Sequence, residues 1–381
     1  MKCRSCREPA VIELRRHNAG FCAPCFLTYC RNQVVRAVEE HKMIARGERV
    51  LVAVSGGKDS LALWDLLLDL GYQADGLYIG LGIGGYSEPS GEYTRSFAEA
   101  RGVTLVEVDL PGDFGYDIRS GAAADHRVPC SACGLSKRHI FDRAAVEGGY
   151  DVVATGHNLD DEAAVLFGNL LHWDVAYLAR QRPVLPERDG FPRKVKPLVR
   201  LAEREMAAYC VLRGIDYQVE ECPMSAGNRH LGYKDALNAV EERSPGTKAA
   251  FYHGFLEHGA NLGAEIGERE REGLRPCSNC GAPTVGEICA FCKLVRRAGG
   301  NPNRRIPVSA GPVSAGPVSA GPVSAGPVSA GPVPAGPVPA GPVSAGPVPA
   351  GPVSAGPVPA DAALADAALA TPAPGAKETA K

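Results

Sequence analysis

RVLVAVSGGKDSLALWDLLLDLG, residues 49–71, decides how the chain folds. RVLVAVS is a short, apolar, β-branched run, the pattern of a strand buried in a parallel sheet. SLALWDLLLDL spreads apolar residues over a helix face, and Gly71 stops it. Between them lies Ser55-Gly56-Gly57-Lys58-Asp59-Ser60, where two glycines let the backbone turn tightly and approach a ligand closely. The helix that follows aims its free N–H groups and positive dipole end at that turn. Lys58 adds charge, and Ser55 and Ser60 offer hydroxyl donors. Asp59 is acidic and so suits phosphate only through Mg²⁺. The spacing is not that of the Walker loop, G-x-x-x-x-G-K-[ST].

Working outward, YQADGLYIGLG reads as a strand, GEYTRSFAEARG as a helix, VTLVEVDL as a strand, LSKRHIFDRAAVEGG as a helix and YDVVATG as another buried strand. Strict alternation predicts an α/β fold: a parallel sheet with helices on both faces and ligands beyond the carboxyl ends of its strands. A second strand–turn–helix motif is Thr155-Gly156-His157-Asn158-Leu159-Asp160-Asp161-Glu162. Asp160 reads either as a helix cap or as a site residue, whereas Asp161 is assigned to the site, through Mg²⁺ or the substrate.

The thirteen cysteines sort by spacing. Cys3-x2-Cys6 with Cys22-x2-Cys25, and Cys277-x2-Cys280 with Cys289-x2-Cys292, each match a four-thiolate structural zinc site. Cys130-x2-Cys133 precedes a predicted helix, and Cys222 follows a predicted strand, DYQV. A lone CxxC suggests a redox pair; a CxxC with a distant third cysteine suggests a [4Fe–4S] cluster with one open iron, or persulfide chemistry on Cys222. Cys30 and Cys210 read as buried apolar groups, Cys210 being the rival third ligand.

The whole chain has a formal charge of −2, but the charge is unevenly spread. Residues 1–49 carry ten Lys/Arg against five Asp/Glu, and residues 277–306 five against one, which leaves residues 50–276 at −10. Two basic, cysteine-bearing ends around an acidic middle fit either solvated helix faces or modules that hold a polyanion. Arg180, Arg182, Arg193, Lys194, Lys196 and Arg200 form a further basic stretch, either an RNA groove or a solvated loop. No apolar run is long enough for a membrane span, and the opening MKCRSC has no signal-type apolar region, so a reducing, cytoplasmic setting is expected. From Pro307 the chain repeats PVSAG and PVPAG, a composition that favours extended, unpacked backbone, with a short helix conceivable in ADAALADAALA. The expected division is a zinc finger at 1–30, a linker helix within 31–48 running from Asn32 to about Arg46, a catalytic domain at 49–272, a second finger at 273–300 and a low-complexity tail at 301–381.

SGGKDS resembles the PP-loop of ATP pyrophosphatases, which cleave ATP between the α and β phosphates and adenylate a carbonyl oxygen. The order zinc pair, SGGKDSLALW, PCSACGLSKR, ATGHNLDDEAAVLFGNLL, EECP, second zinc pair resembles the tRNA 2-thiouridine synthases, in particular the branch that thiolates ribothymidine in the T loop. The resemblance covers roughly residues 1–296. It implies a PP-loop domain between two zinc fingers, usually as a homodimer, and a [4Fe–4S] cluster on Cys130, Cys133 and Cys222. It implies ATP contacts at Ala53, Val54, Ser55, Gly56, Gly57, Lys58, Asp59, Ser60, Ile79, Lys137, Gly156 and Asp161, with Lys137, Asp161 and Asp59 as catalytic candidates. It also implies a tRNA substrate and a ubiquitin-like sulfur carrier ending in a thiocarboxylate. The other expectations to weigh are wobble-uridine thiolation, another PP-loop ligase that needs no cysteine trio, and a non-catalytic zinc-ribbon RNA-binding protein.

Overall fold

The structure, a computed structural model, describes residues 1–188, 190–225, 229–259 and 273–308. The expectations for the repeats from residue 309 onward lie outside the described residues. In chain order the elements are β1 (Ile12–Leu14), β2 (Ala19–Phe21), α1 (Ala23–His41), β3 (Arg49–Val54), α2 (Lys58–Asp69), β4 (Gln73–Gly80), α3 (Ser87–Arg101), β5 (Leu105–Asp109), α4 (Ile118–Ala124), α5 (Pro129–Gly148), β6 (Val152–Thr155), α6 (Leu159–Leu171), α7 (Val175–Leu178), β7 (Val184–Leu185), β8 (Arg193–Val195), α8 (Glu203–Arg213), α9 (Arg229–Arg243), α10 (Thr247–Gly254), β9 (Arg275–Pro276), β10 (Pro283–Thr284) and α11 (Ala290–Arg297).

The central sheet has the order β5-β4-β3-β6-β8-β7. All neighbours are parallel except β7, which pairs antiparallel with β8 at the edge. Period-two alternation splits β3 between two cores. Val50, Val52 and Val54 face the layer of α1, α2, α6 and α8, while Leu51 joins Leu77, Ile79 and Val153 under α4, α5 and α11. The two cysteine-bearing ends therefore lie on opposite faces of the sheet: Cys3 and Phe21 belong to the first core, Cys277 and Phe291 to the second. On the first face Gly76 of β4 is required by packing, because a Cβ there would run into the ring of the buried Trp64.

Three local expectations change. α1 begins at Ala23, with Pro24 in its first turn, rather than at Asn32, so the helix grows out of the first cysteine cluster. α5 begins at Pro129, which proline favours at a first helical position, so Cys130 and Cys133 lie in the helix's first two turns instead of preceding it. Residues 216–219, DYQV, form no strand; the Gln218 N–H instead donates to the Gly56 carbonyl at 2.9 Å and ties this segment to the phosphate loop. Residues 301–308 lie against α5: Arg143 donates to the carbonyls of Pro302 and Arg304, and Ile306 is buried.

Candidate active site

The phosphate loop joins β3 to α2. Gly56 has φ +73°, and a Cβ there would strike the Ser90 carbonyl, so the turn is open only to glycine. Gly57 precedes α2, and no side chain caps the helix, which leaves its first N–H groups aimed outward. Ser60 fixes the turn: its hydroxyl accepts from the Ser55 N–H at 3.1 Å and donates to the Gly57 carbonyl at 3.0 Å. Gly156, at the end of β6, comes close on the other side, where a Cβ would stand 2.9 Å from the Ser60 nitrogen.

Around this turn the fold gathers charges from four helices. Lys58 pairs with Asp59 at 3.1 Å and Glu203 at 2.7 Å. Lys234 of α9 pairs with Asp161 and Glu203, each at 2.8 Å. Asn158 donates to Asp59 at 2.9 Å. Burial, reinforced by Asp161 and partly offset by Lys58, raises the pKa of the Asp59 carboxyl. Burial opposes the charge on Glu203 as well, but Lys234 and Lys58 outweigh it and hold that carboxyl down at about 2.

The cap of α6 is Asn158, whose side chain accepts from the Asp160 and Asp161 N–H groups at 2.9 and 3.2 Å. Asp161 returns a bond to the Asn158 N–H at 3.1 Å and keeps its other oxygen for Lys234. Asp160 turns away to a short contact with the buried Lys248 and accepts from the Glu203 N–H at 2.7 Å, which anchors α8. Asp160 is thus structural, though it caps α8 and not its own helix. Asn158, Glu203 and Lys234 escaped the sequence reading. Asn158 is a good cap type at the right place and could have been found. Glu203 and Lys234 stand at the start of one helix and within another, with no motif around them.

Beside the loop, at the carboxyl ends of β3 and β4, is a pocket lined by Ala53, Val54, Ser55, Tyr78, Ile79, Leu81, Tyr86, Ser87, Ser90, Lys137 and Phe141. Lys137 reaches it from α5. Cys130, Cys133 and Lys137 are spaced i, i+3, i+7 and share one helix face. Cys133 is the largest influence raising the Lys137 pKa, ahead of opposing burial, with Tyr86 and Cys222 adding to it. Cys222 also acts on Cys130, whose pKa burial pushes up, and Cys130 lies 3.5 Å from the Met224 carbonyl. The three thiols thus lie near enough to act on one another and on Lys137, although none of them lines the pocket itself. Cys210 is not part of it: it is fully buried on the other face of the sheet, 3.4 Å from the Lys58 carbonyl, where burial drives its pKa to about 12. Cys30 is likewise fully buried.

The tRNA-5-methyluridine(54) 2-sulfurtransferase of Thermus thermophilus is 51% identical over 294 residues, which span 77% of this chain and 91% of that protein. This chain belongs to that family. The sulfurtransferase of the same name from Pyrococcus horikoshii is 44% identical over 77% of this chain and 93% of its own length. Residues 2–27 match the family 2-thiouridine synthetase TtuA, N-terminal LIM domain. Among solved structures, the U34-tRNA thiolase NcsA from Methanococcus maripaludis with its [4Fe–4S] cluster superposes with a TM-score of 0.64 at 24% identity, covering 78% of this chain and 96% of that one, which shows a shared fold.

The two cysteine quartets of this sulfurtransferase-family chain suit a metal ion. In each, all four sulfurs lie within 4.8 Å of one another. Tetrahedral zinc with Zn–S near 2.3 Å sets sulfurs about 3.8 Å apart; the Cys280 and Cys289 sulfurs are separated by 3.7 Å, and those of Cys6 and Cys22 by 3.4 Å. The Cys289 N–H donates to the Cys277 sulfur at 3.2 Å, which suits a thiolate. Much of the basic stretch between residues 180 and 200 is neutralised within the chain. Lys194 pairs with Asp142, Lys196 with Glu162, Arg200 with Glu40 and Arg193 with Glu48. Those four side chains form ion pairs that tie the sheet edge to α1, α5, α6 and the segment before β3. No helix among the described residues is long and apolar enough to cross a membrane.

Proposed function

We propose that this protein is a tRNA sulfurtransferase that uses ATP to replace the C2 oxygen of a T-loop 5-methyluridine with sulfur. One observation carries the reading: the face of α5 that bears Cys130 and Cys133 also delivers Lys137 into the pocket beside the phosphate loop, so activation and sulfur delivery share one place. Family membership supports the substrate.

The uracil O2 attacks the α-phosphorus of ATP and pyrophosphate leaves. The uncapped α2 N–H groups, Lys58 and Lys234 receive the leaving charge, and Asp59 and Asp161 are the carboxylates suited to Mg²⁺. Asp59 is half-buried, and partial burial raises its pKa despite the Lys58 pairing, so a divalent cation would suit it. Lys137 stabilises charge on the α-phosphate, a task in which a prepositioned cation contributes most. A sulfur nucleophile then enters from the cysteine side, the C2–S bond forms, the C2–O bond breaks with AMP as leaving group, and no net redox change occurs.

Cys130, Cys133 and Cys222 would hold a [4Fe–4S] cluster, which when bound would supply an acceptor for sulfur; the influence of Cys133 and Cys222 on Cys130 and Lys137 supports this reading. We further read the protein as cytoplasmic and homodimeric, supplied by a ubiquitin-like thiocarboxylate carrier.

The test is nucleoside mass spectrometry of tRNA from cells lacking the gene. Loss of 5-methyl-2-thiouridine supports the reading; loss of a wobble 2-thiouridine instead moves the target; no lost thionucleoside overturns it.

A further inference from the structure

Trp173 occupies a position that neither its backbone nor its burial explains. α6 ends in a reciprocal C-terminal motif, with the Trp173 N–H donating to Leu170 O at 3.1 Å and the Asp174 N–H to Asn169 O at 3.0 Å. The residue after the cap in this motif is left-handed and is normally glycine. Here it is a tryptophan with φ +51°. Such a bulky side chain in that region is disfavoured unless something compensates. Burial does not compensate, since Trp173 is 72% exposed and Leu171 beside it is 56% exposed.

The corner is also held firmly. His172 meets the Tyr233 hydroxyl at 3.0 Å, and Asp174 accepts from the Tyr177 N–H at 3.3 Å. Immediately beyond, the Arg180 guanidinium lies over the Tyr177 ring at 5.2 Å, with Arg182 following. An exposed aromatic face fixed by its backbone, next to an aromatic–arginine pair, is the composition that stacks unpaired bases. α6 (Leu159–Leu171) sets Asp161 in the candidate site in its first turn, and the rise from there to Trp173 carries the chain about 18 Å away. A polynucleotide engaged at the pocket can extend over that distance.

Resting on the reading above that tRNA is the substrate, we propose that Trp173 is a stacking platform for an unpaired base of the tRNA, remote from the reacting uracil. The chain has two tryptophans, and the other, Trp64, is fully buried against Phe97. Quenching of the exposed tryptophan's fluorescence thus reports contact at this corner alone.

The experiment titrates an unmodified tRNA transcript into the full-length protein and into Trp173→Gly, following intrinsic fluorescence, direct tRNA binding and melting temperature. The expected result is quenching in the wild type that is absent in Trp173→Gly, about tenfold weaker tRNA binding by the variant, and no loss of melting temperature, because glycine is the preferred residue at this backbone conformation. Tight tRNA binding by the wild type without quenching, or unchanged affinity in the variant, overturns the stacking role while leaving the enzymatic reading intact. Failure of the wild type to bind tRNA overturns both. A change in sedimentation on Trp173→Gly with unchanged tRNA affinity overturns it in favour of a contact between copies of the chain.

Discussion

Glu203 lies 2.7 Å from Lys58, a residue 145 positions earlier in the chain, and its second carboxylate oxygen lies 2.8 Å from Lys234. One carboxylate thus spaces two lysines beside the phosphate loop. Glu203 titrates near 2, below its ordinary value of 4.5. Because the folded value is the lower one, its stabilising effect is present above pH 4.5 and fades as pH falls from there toward 2. Glu203→Gln should therefore melt at a lower temperature than the wild type at pH 6, with the gap closing below pH 3. A gap that stays constant with pH would remove the carboxylate from this role.

Lys137→Ala should slow thionucleoside formation about a hundredfold or more while leaving the melting temperature nearly unchanged. Lys137 projects into the pocket, so its loss removes charge there and not core packing. Discontinuous assay of AMP release with tRNA present checks this; a normal rate contradicts it.

Adjacent carboxylates should behave in opposite ways. Asp160 is buried with Lys248, and removing one partner of a buried pair strands the other, so Asp160→Ala should cost about 3–5 kcal/mol in urea unfolding. Asp161 shares its lysine with Glu203 at a partly exposed position, so Asp161→Asn should keep most of the stability and lose activity.

The cysteines should separate by iron content. Purified without oxygen, Cys130→Ser, Cys133→Ser and Cys222→Ser should each lose bound iron, whereas Cys210→Ala should retain it and lose about 1 kcal/mol of stability. An active wild type that contains no iron would replace the cluster by persulfide chemistry on Cys222.

Zinc in the C-terminal quartet should stiffen the helix that carries Cys130 and Cys133. Phe291, next to Cys292, stacks on His139 of α5 at 4.0 Å and packs edge-on to Phe114. Cys280→Ser should lower the metal content by one zinc and raise hydrogen exchange in α4 and α5, while the β1–β2 hairpin keeps its protection.

Some of this was legible in the chain itself. The alternation of β-branched runs with amphipathic stretches set the α/β class, and SGGKDS marked the tight turn between β3 and α2, because both depend on local periodicity and on glycine at fixed places. Cysteine spacing likewise set out the two quartets. Asn158 lay within reach of the same reasoning. What stayed hidden were the ion pairs and backbone hydrogen bonds between distant segments. That Glu40, Glu48, Asp142 and Glu162 pair with four members of the basic stretch was not legible in the sequence. The strand expected at 216–219 failed because Gln218 takes its backbone partner from Gly56 and not from a neighbouring strand.

By itself the sequence determined the fold class, the glycine turn at residues 55–60 and the two cysteine quartets, since these follow from residue type and short spacing. Only the tertiary structure decided that Glu203 and Lys234 join the loop, that Asp160 serves α8, and that Cys210 lies apart from Cys222. Parallel strands bring helix ends from distant segments to one edge of the sheet, and burial then makes each charge there choose a partner that no local pattern names.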